Sequence, residues 1–229
     1  MDKYEFGIPT SPNVLIQMVD DHDLFGIENE VDQIRKLASD DFRLIALKVD
    51  DWNRDLSPWQ APAVFGNESF SGKAAETLGK VLAETSESKK YYIGGYSLSG
   101  LFALWAAYQT DVFSGVAAAS PSIWFPGFLE YMEAHLLKTG KVYLSLGDRE
   151  EKVKNPVMST VGDSIRSAYD LLQKQRIPSV LEWNQGNHFR DPDIRTAKAF
   201  AWLLQPCCRQ CGSENISCGK ETRSGQNEK

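Results

Sequence analysis

The chain has 229 residues, 42% apolar and 24% charged, with 25 Lys+Arg against 31 Asp+Glu for a formal charge of -6. That is enough chain to bury a sizeable core without disulfides or a structural metal, and it excludes collagen-like, coiled-coil and wholly disordered sequences. The acidic balance argues against nucleic acid as a partner, and no apolar run reaches the roughly 18–20 residues of a bilayer span, so no membrane partner is expected.

Residues 1–6, Met-Asp-Lys-Tyr-Glu-Phe, lack a basic segment followed by an apolar one. No signal peptide is read there, and the cytoplasm is the expected compartment. From that point six apolar runs of strand length follow, at 14–19, 44–49, 91–95, 115–119, 142–146 and 180–183. Helical patterns separate them. Strands alternating with helices predict an α/β fold: a mostly parallel central sheet of about six strands with helices on both faces. The first four runs are nearly continuous in apolar residues, as strands covered on both sides are. The last two carry Ser145 and Glu182 and suit a sheet margin.

Between these runs, Ala74, Leu78, Val81 and Leu82 keep the 3–4 spacing of one buried helical face. Residues 101–108 are apolar all round, which marks a helix packed inside the protein. Val157, Val161, Ile165, Ala168 and Leu172 form a further helical face, and Ile194, Ala197, Phe200, Ala201 and Leu204 another. Asp191 is read as the cap of that last helix, with Pro192 in its first turn. After Leu204 the chain turns polar and aperiodic. The reading therefore divides it into an α/β domain at 1–205 and a polar tail at 206–229, expected to be disordered. All four cysteines, Cys207, Cys208, Cys211 and Cys218, fall in that tail. They form a crowded set with no second Cys-x-x-Cys and no histidine nearby, so reduced thiols are expected there rather than zinc.

The most informative stretch is 91–102, Tyr-Tyr-Ile-Gly-Gly-Tyr-Ser-Leu-Ser-Gly-Leu-Phe. An apolar strand ends at Gly95, an apolar helix opens within two or three residues, and Ser97 stands at the junction. This is the setting of a nucleophile elbow, where the turn is so tight that the positions two before and two after the serine must be small. They are Gly95 and Ser99. Taking Ser99 as the nucleophile would put Leu101 at one of those positions, which is too large. The bland alternative is a Gly/Ser-rich turn that only begins a helix.

A serine hydroxyl needs a base, and the base an orienting carboxylate. Of the three histidines, His22 precedes the serine and His135 is read as mid-helix in a Glu-rich amphipathic segment. Only His188, on the connection between the last strand and the last helix, suits the chain order Ser–acid–His. The acid is expected after the strand at 142–146, within Gly147-Asp148-Arg149-Glu150-Glu151-Lys152. Glu150 is preferred and Asp148 is the alternative. The oxyanion hole is expected to join the backbone N–H of Leu98 to one from 20–23, Asp-Asp-His-Asp, read as a loop, with Asp21 the candidate.

These segments together resemble the esterase D/enterochelin esterase-like family of the α/β-hydrolase superfamily. The resemblance is carried by Val-Asp-Asp-His-Asp-Leu-Phe at 19–25, Arg-Asp-Leu-Ser-Pro at 54–58, the elbow at 95–101, Ser-Pro-Ser-Ile-Trp at 120–124 and Asn-His-Phe at 187–189. It spans nearly the whole chain up to Leu204. Asp21 replaces a glycine of that family's pattern. The resemblance implies an α/β-hydrolase fold with Ser97 as nucleophile and His188 as base. The opening antiparallel strands of larger hydrolases are missing, unless residues 4–8 supply a remnant.

Aromatic side chains crowd the connections after the second and fourth runs. Trp52 and Trp124 are candidate substrate-binding residues, as is Arg54, whose fork suits a carboxylate; plain packing is the alternative for the tryptophans. The expected function is a serine-dependent carboxylic ester hydrolase working through an acyl-enzyme on a small-molecule ester, with no cofactor and no metal. An acyltransferase or thioesterase with the same groups, and a non-catalytic binding protein on a hydrolase scaffold, are the alternatives. Monomer and homodimer are both open.

Overall fold

The computed structural model describes residues 1–64 and 66–205. The four cysteines and the tail read at 206–229 lie outside the described residues. The order of the first half is β1 (Asp2–Gly7), β2 (Asn13–Val19), α1 (Asp21–Leu37), β3 (Arg43–Lys48), α2 (Trp52–Leu56), β4 (Gln60–Ala61), β5 (Phe70–Ser71) and α3 (Ala74–Ala83). The second half runs β6 (Lys90–Tyr96), α4 (Leu98–Gln109), β7 (Phe113–Ala119), α5 (Phe128–Ala134), β8 (Val142–Gly147), α6 (Val161–Lys174), β9 (Ser179–Asn184) and α7 (Pro192–Leu204).

Seven strands form the central sheet in the order β1-β3-β2-β6-β7-β8-β9, and β4 and β5 make a separate two-stranded ribbon. Within the central sheet every neighbouring pair is parallel except β1 with β3, which runs antiparallel from Asp2↔Lys48 to Gly7↔Arg43. The fold class is therefore as expected, with one strand more than the six apolar runs. β1 escapes that reading because Asp-Lys-Tyr-Glu-Phe-Gly is an exposed edge strand, mostly polar and half-covered at best.

The pleat sends alternate side chains to two cores. Leu15, Val19, Leu44 and Ala46 face α1 and α7, where they meet Ile27, Val31, Ile34, Ala197, Phe200 and Leu203. Val14, Ile16, Ile45 and Leu47 face the other side, with residues of α3, α4, α5 and α6. α4 is buried along nearly its whole length, as its all-apolar sequence requires.

Two local readings change. Residues 20–23 are not a loop: Asp20 is the N-cap of α1, and Asp21 to Asp23 are its first turn. The Asp23 amide donates to Asp20 Oδ1 at 2.9 Å and the Asp20 amide to Asp23 Oδ2 at 3.3 Å. This reciprocal cap is the short-acid version of the Ser-x-x-Glu box, so an acidic cluster that looks like a solvated loop is a helix start. At α7, Asp191 does stand at the N-cap, but in the left-handed region (φ 52°) and with no side-chain cap bond; its carboxylate takes Arg190 Nε at 3.3 Å instead.

The connectivity fixes where a ligand can sit. From β2 the chain moves outward to β3, then returns past β2 to β6 and proceeds the opposite way to β7. β2 and β6 are adjacent strands whose following connections diverge, which leaves a crevice at their carboxyl ends. Asp20 and Ser97 are the first residues beyond those two ends.

Candidate active site

Ser97 joins β6 to α4 in a sharp turn with φ 56° and ψ -120°. A non-glycine residue with positive φ costs energy and persists only when its surroundings enforce it. They do so here through the backbone: the Ser97 amide donates to Ala119 O at 3.1 Å, and Ser97 O accepts from the Ser122 amide at 3.1 Å and the Leu101 amide at 3.0 Å. The close passage leaves no room beside Gly95, where an added Cβ would run into the Ser99 side chain. Ser99 is itself fully buried, and its hydroxyl donates to Met18 O of β2 at 2.8 Å. The serine in place of glycine thus fits the elbow and gains a partner.

Around this turn the other strand ends supply a continuous set of contacts. His188 Nε2 lies 3.1 Å from Ser97 Oγ, and His188 Nδ1 lies 2.7 Å from Glu150 Oε2. The short bond to a carboxylate places the ring proton on Nδ1, so Nε2 presents its lone pair to the serine hydroxyl. Ser122 Oγ is also near Ser97 Oγ, at 3.3 Å.

Glu150 is 4% exposed, and both its oxygens are occupied. Oε1 accepts from the Gly147 amide at 2.7 Å, the Ser120 hydroxyl at 2.8 Å and Arg195 Nη1 at 2.9 Å. Burial pushes the Glu150 carboxyl up, but the hydrogen bond and charge of His188, with the Gly147 amide and the Ser120 hydroxyl, outweigh it and hold the group below its ordinary value. Asp148, the other candidate, is turned elsewhere: its Oδ1 accepts the Gly186 amide at 2.8 Å and ties the β8 and β9 connections together.

Arg195, in the first turn of α7, was not singled out by the sequence reading. It is 2% exposed. Nη1 donates to Glu150 Oε1, to Tyr96 OH at 3.0 Å and to Ser120 Oγ at 3.2 Å; Nη2 donates to Asn187 O at 3.0 Å and Gln185 O at 3.3 Å. One guanidinium therefore ties the carboxylate to the backbone of the segment that carries the histidine. Tyr96 completes the tie by donating to His188 O at 2.6 Å. Burial, with the charge of Glu150, pushes the Tyr96 phenol up to about 12, so it serves as a donor. The available signal was an arginine at the positive end of a helix, where a cation is disfavoured without an anion nearby.

The cavity beside Ser97 has a volume of about 170 Å3 and is lined by Asp20, His22, Asp23, Trp52, Tyr96, Ser97, His188, Phe189 and Pro192. Trp52 is thus at the cavity, while Arg54 and Trp124 are not among its lining residues. Arg54 is exposed and forks onto the Asp55 carboxylate at 2.8 and 3.1 Å, and Trp124 packs on the core beside Phe70. The Asp21 carboxylate points away to Lys48 Nζ at 2.6 Å. As first-turn residues of α1 and α4, Asp21 and Leu98 carry amides without an intrahelical acceptor. His135 is the C-cap of α5 rather than a mid-helix residue, stacked on Tyr131. Among the described residues no group of three or more His, Cys, Asp or Glu side chains is arranged to hold a metal ion, and no helix is long and apolar enough to cross a membrane.

This architecture is the α/β-hydrolase fold, shared with serine hydrolases of known structure. An IroE-like serine hydrolase from Shewanella oneidensis superposes with a TM-score of 0.68 at 16% identity, covering 89% of this chain and 80% of that one. The siderophore hydrolase EstA from Aspergillus nidulans gives 0.64 at 17% identity, over 88% and 94%. The enterobactin esterase FES from Shigella flexneri gives 0.57 at 14% identity, covering 88% of this chain and 55% of the longer one. No protein-family model matches the chain, and no curated protein sequence matches it.

Proposed function

We propose that this protein is a serine-dependent carboxylic ester hydrolase acting on small-molecule esters through an acyl-enzyme. The reading rests on one observation, the unbroken run of contacts from Ser97 Oγ through His188 to a buried, ionised Glu150. Ser97 Oγ attacks the ester carbonyl as its proton passes to His188 Nε2. Glu150 steadies the imidazolium that forms, and the negative oxygen is met by the amides of Leu98 and Asp21. His188 then protonates the departing alcohol, and water attacks the acyl-serine by the same route in reverse. A strained serine with a base at 3.1 Å is poised for this work, since geometry is the first requirement of a base. The ester hydrolases among the structures that share the fold support the same class of reaction.

A fluorophosphonate probe is expected to label Ser97, and a panel of aryl esters of graded acyl length to be turned over. Ser97→Ala should abolish labelling and lower turnover at least about a thousandfold. Folded protein that takes up no probe and turns over no ester would refute the proposal.

A further inference from the structure

The cavity beside Ser97 has an unusual electrostatic make-up. Besides the Ser97 and Tyr96 hydroxyls, its polar lining has two carboxylates, Asp20 and Asp23, and two imidazoles, His22 and His188, and none of its lining residues is a lysine or arginine. The nearby cations are engaged elsewhere: Lys48 with Asp21, Arg54 with Asp55, Arg190 with Asp191 and Arg195 with Glu150. Asp20 Oδ1 and Asp23 Oδ2 are used by the reciprocal cap of α1. Among the described residues no donor reaches the second oxygen of either carboxylate, and neither is paired with a lysine or arginine, the neighbouring His22 being the one cationic group that acts on Asp23. Burial, followed by repulsion from Asp20, pushes the Asp23 carboxyl up to about 6. The cavity therefore has no lysine or arginine to balance its two carboxylates, a role that a bound cation would fill and an anion would not. Its remaining wall is aromatic: Trp52 is half-buried, and Phe189 is 85% exposed across the opening. Ring faces beside carboxylates are the usual surroundings of a bound ammonium or quaternary ammonium group.

We propose that the site selects small esters bearing a cationic group, an ammonium or quaternary ammonium held between the Asp20 and Asp23 carboxylates and the Trp52 ring. The inference rests on the hydrolase reading above and names its substrate class. A cavity of about 170 Å3 suits an amino-alcohol or amino-acyl group rather than a long chain.

Matched esters test it, each cation set against its carbon isostere. Acetylthiocholine against 3,3-dimethylbutyl thioacetate places the charge on the leaving group. The 4-nitrophenyl esters of 4-trimethylammoniobutyrate and 5,5-dimethylhexanoate place it on the acyl group. In at least one pair the cation should be favoured about tenfold or more in kcat/KM at low salt. That ratio should shrink in 0.5 M salt and collapse in Asp20→Asn/Asp23→Asn, whose amides keep the capping oxygens and so the start of α1. Two ratios near one, or a cation preference that the double variant leaves intact, would overturn the inference. Its failure is distinct from failure of the hydrolase reading: in the first case the neutral isosteres are still turned over and Ser97 is still labelled, in the second neither happens.

Discussion

A guanidinium in the first turn of a helix works against the helix dipole, which favours anions at that end by about 0.3–1 kcal/mol. Arg195 is nonetheless buried there, spread over the Glu150 carboxylate, two hydroxyls and two carbonyls of the histidine segment. Removing it leaves a buried carboxylate short of a partner, which costs about 3–5 kcal/mol. Arg195→Ala is expected to lower kcat about a hundredfold with a smaller change in KM, because a displaced base matters more to reaction than to binding. The loss of a cation beside Glu150 should also raise the acidic limb of the kcat/KM profile. Arg195→Lys should recover part of kcat and restore that limb. An arginine that served only to hold the fold would lower stability without moving the limb in the protein that remains folded. Its partners come from β6 and the segments after β7, β8 and β9, so pairwise spacing in the chain carries no trace of the cluster. Ser97 and His188, by contrast, could be paired from chain order together with the place of His188 on the last connection, while the acid narrows only to Glu150, with Asp148 as the alternative.

At the scale of elements, the strand-to-helix junction explains both what could be read and what could not. β2, β3, β6 and β7 are buried on both faces and appear as continuous apolar runs. β1 is exposed from Asp2 to Glu5, and α1 opens on the polar residues Asp20 to Asp23, so neither has an apolar signature. Ser99 departs from the commonest elbow pattern for a reason visible only in three dimensions: its hydroxyl clamps the start of α4 to the end of β2. Restoring the pattern with Ser99→Gly should therefore destabilise the protein, by about 1–3 kcal/mol from the lost buried bond and the helical glycine together. No gain in kcat should accompany it. Urea unfolding and ester turnover on the same variant check both halves.

For the whole molecule, two buried carboxyls pull stability in opposite directions with pH. Glu150 sits below its ordinary value of 4.5, so the folded chain releases its proton more readily than the unfolded one. Its contribution is complete above pH 4.5 and is lost as the pH falls through the lower, folded value. Glu30 of α1 is 3% exposed, among the described residues it is reached by Gln17 Nε2 alone, at 3.4 Å, and burial pushes it well above 4.5. The folded chain keeps that proton while the unfolded one gives it up, so stability is full below pH 4.5 and declines as the pH rises toward the folded value. Glu30→Gln should remove the decline: denaturation curves from pH 4 to 9 are expected to show a gain over the parent that grows above pH 4.5. Parallel curves would count against this assignment.

The Ser97 hydroxyl and the His188 imidazole are separated by 91 positions along the chain, and the guanidinium that steadies the second lies further on still. During synthesis on the ribosome the nucleophile emerges long before its partner. A nascent polypeptide can fold its first strands around the elbow and yet stay chemically silent. On the hydrolase reading proposed above, Ser97 gains its base only once the connection into α7 is in place, and truncated chains that end before it are expected to turn over no ester.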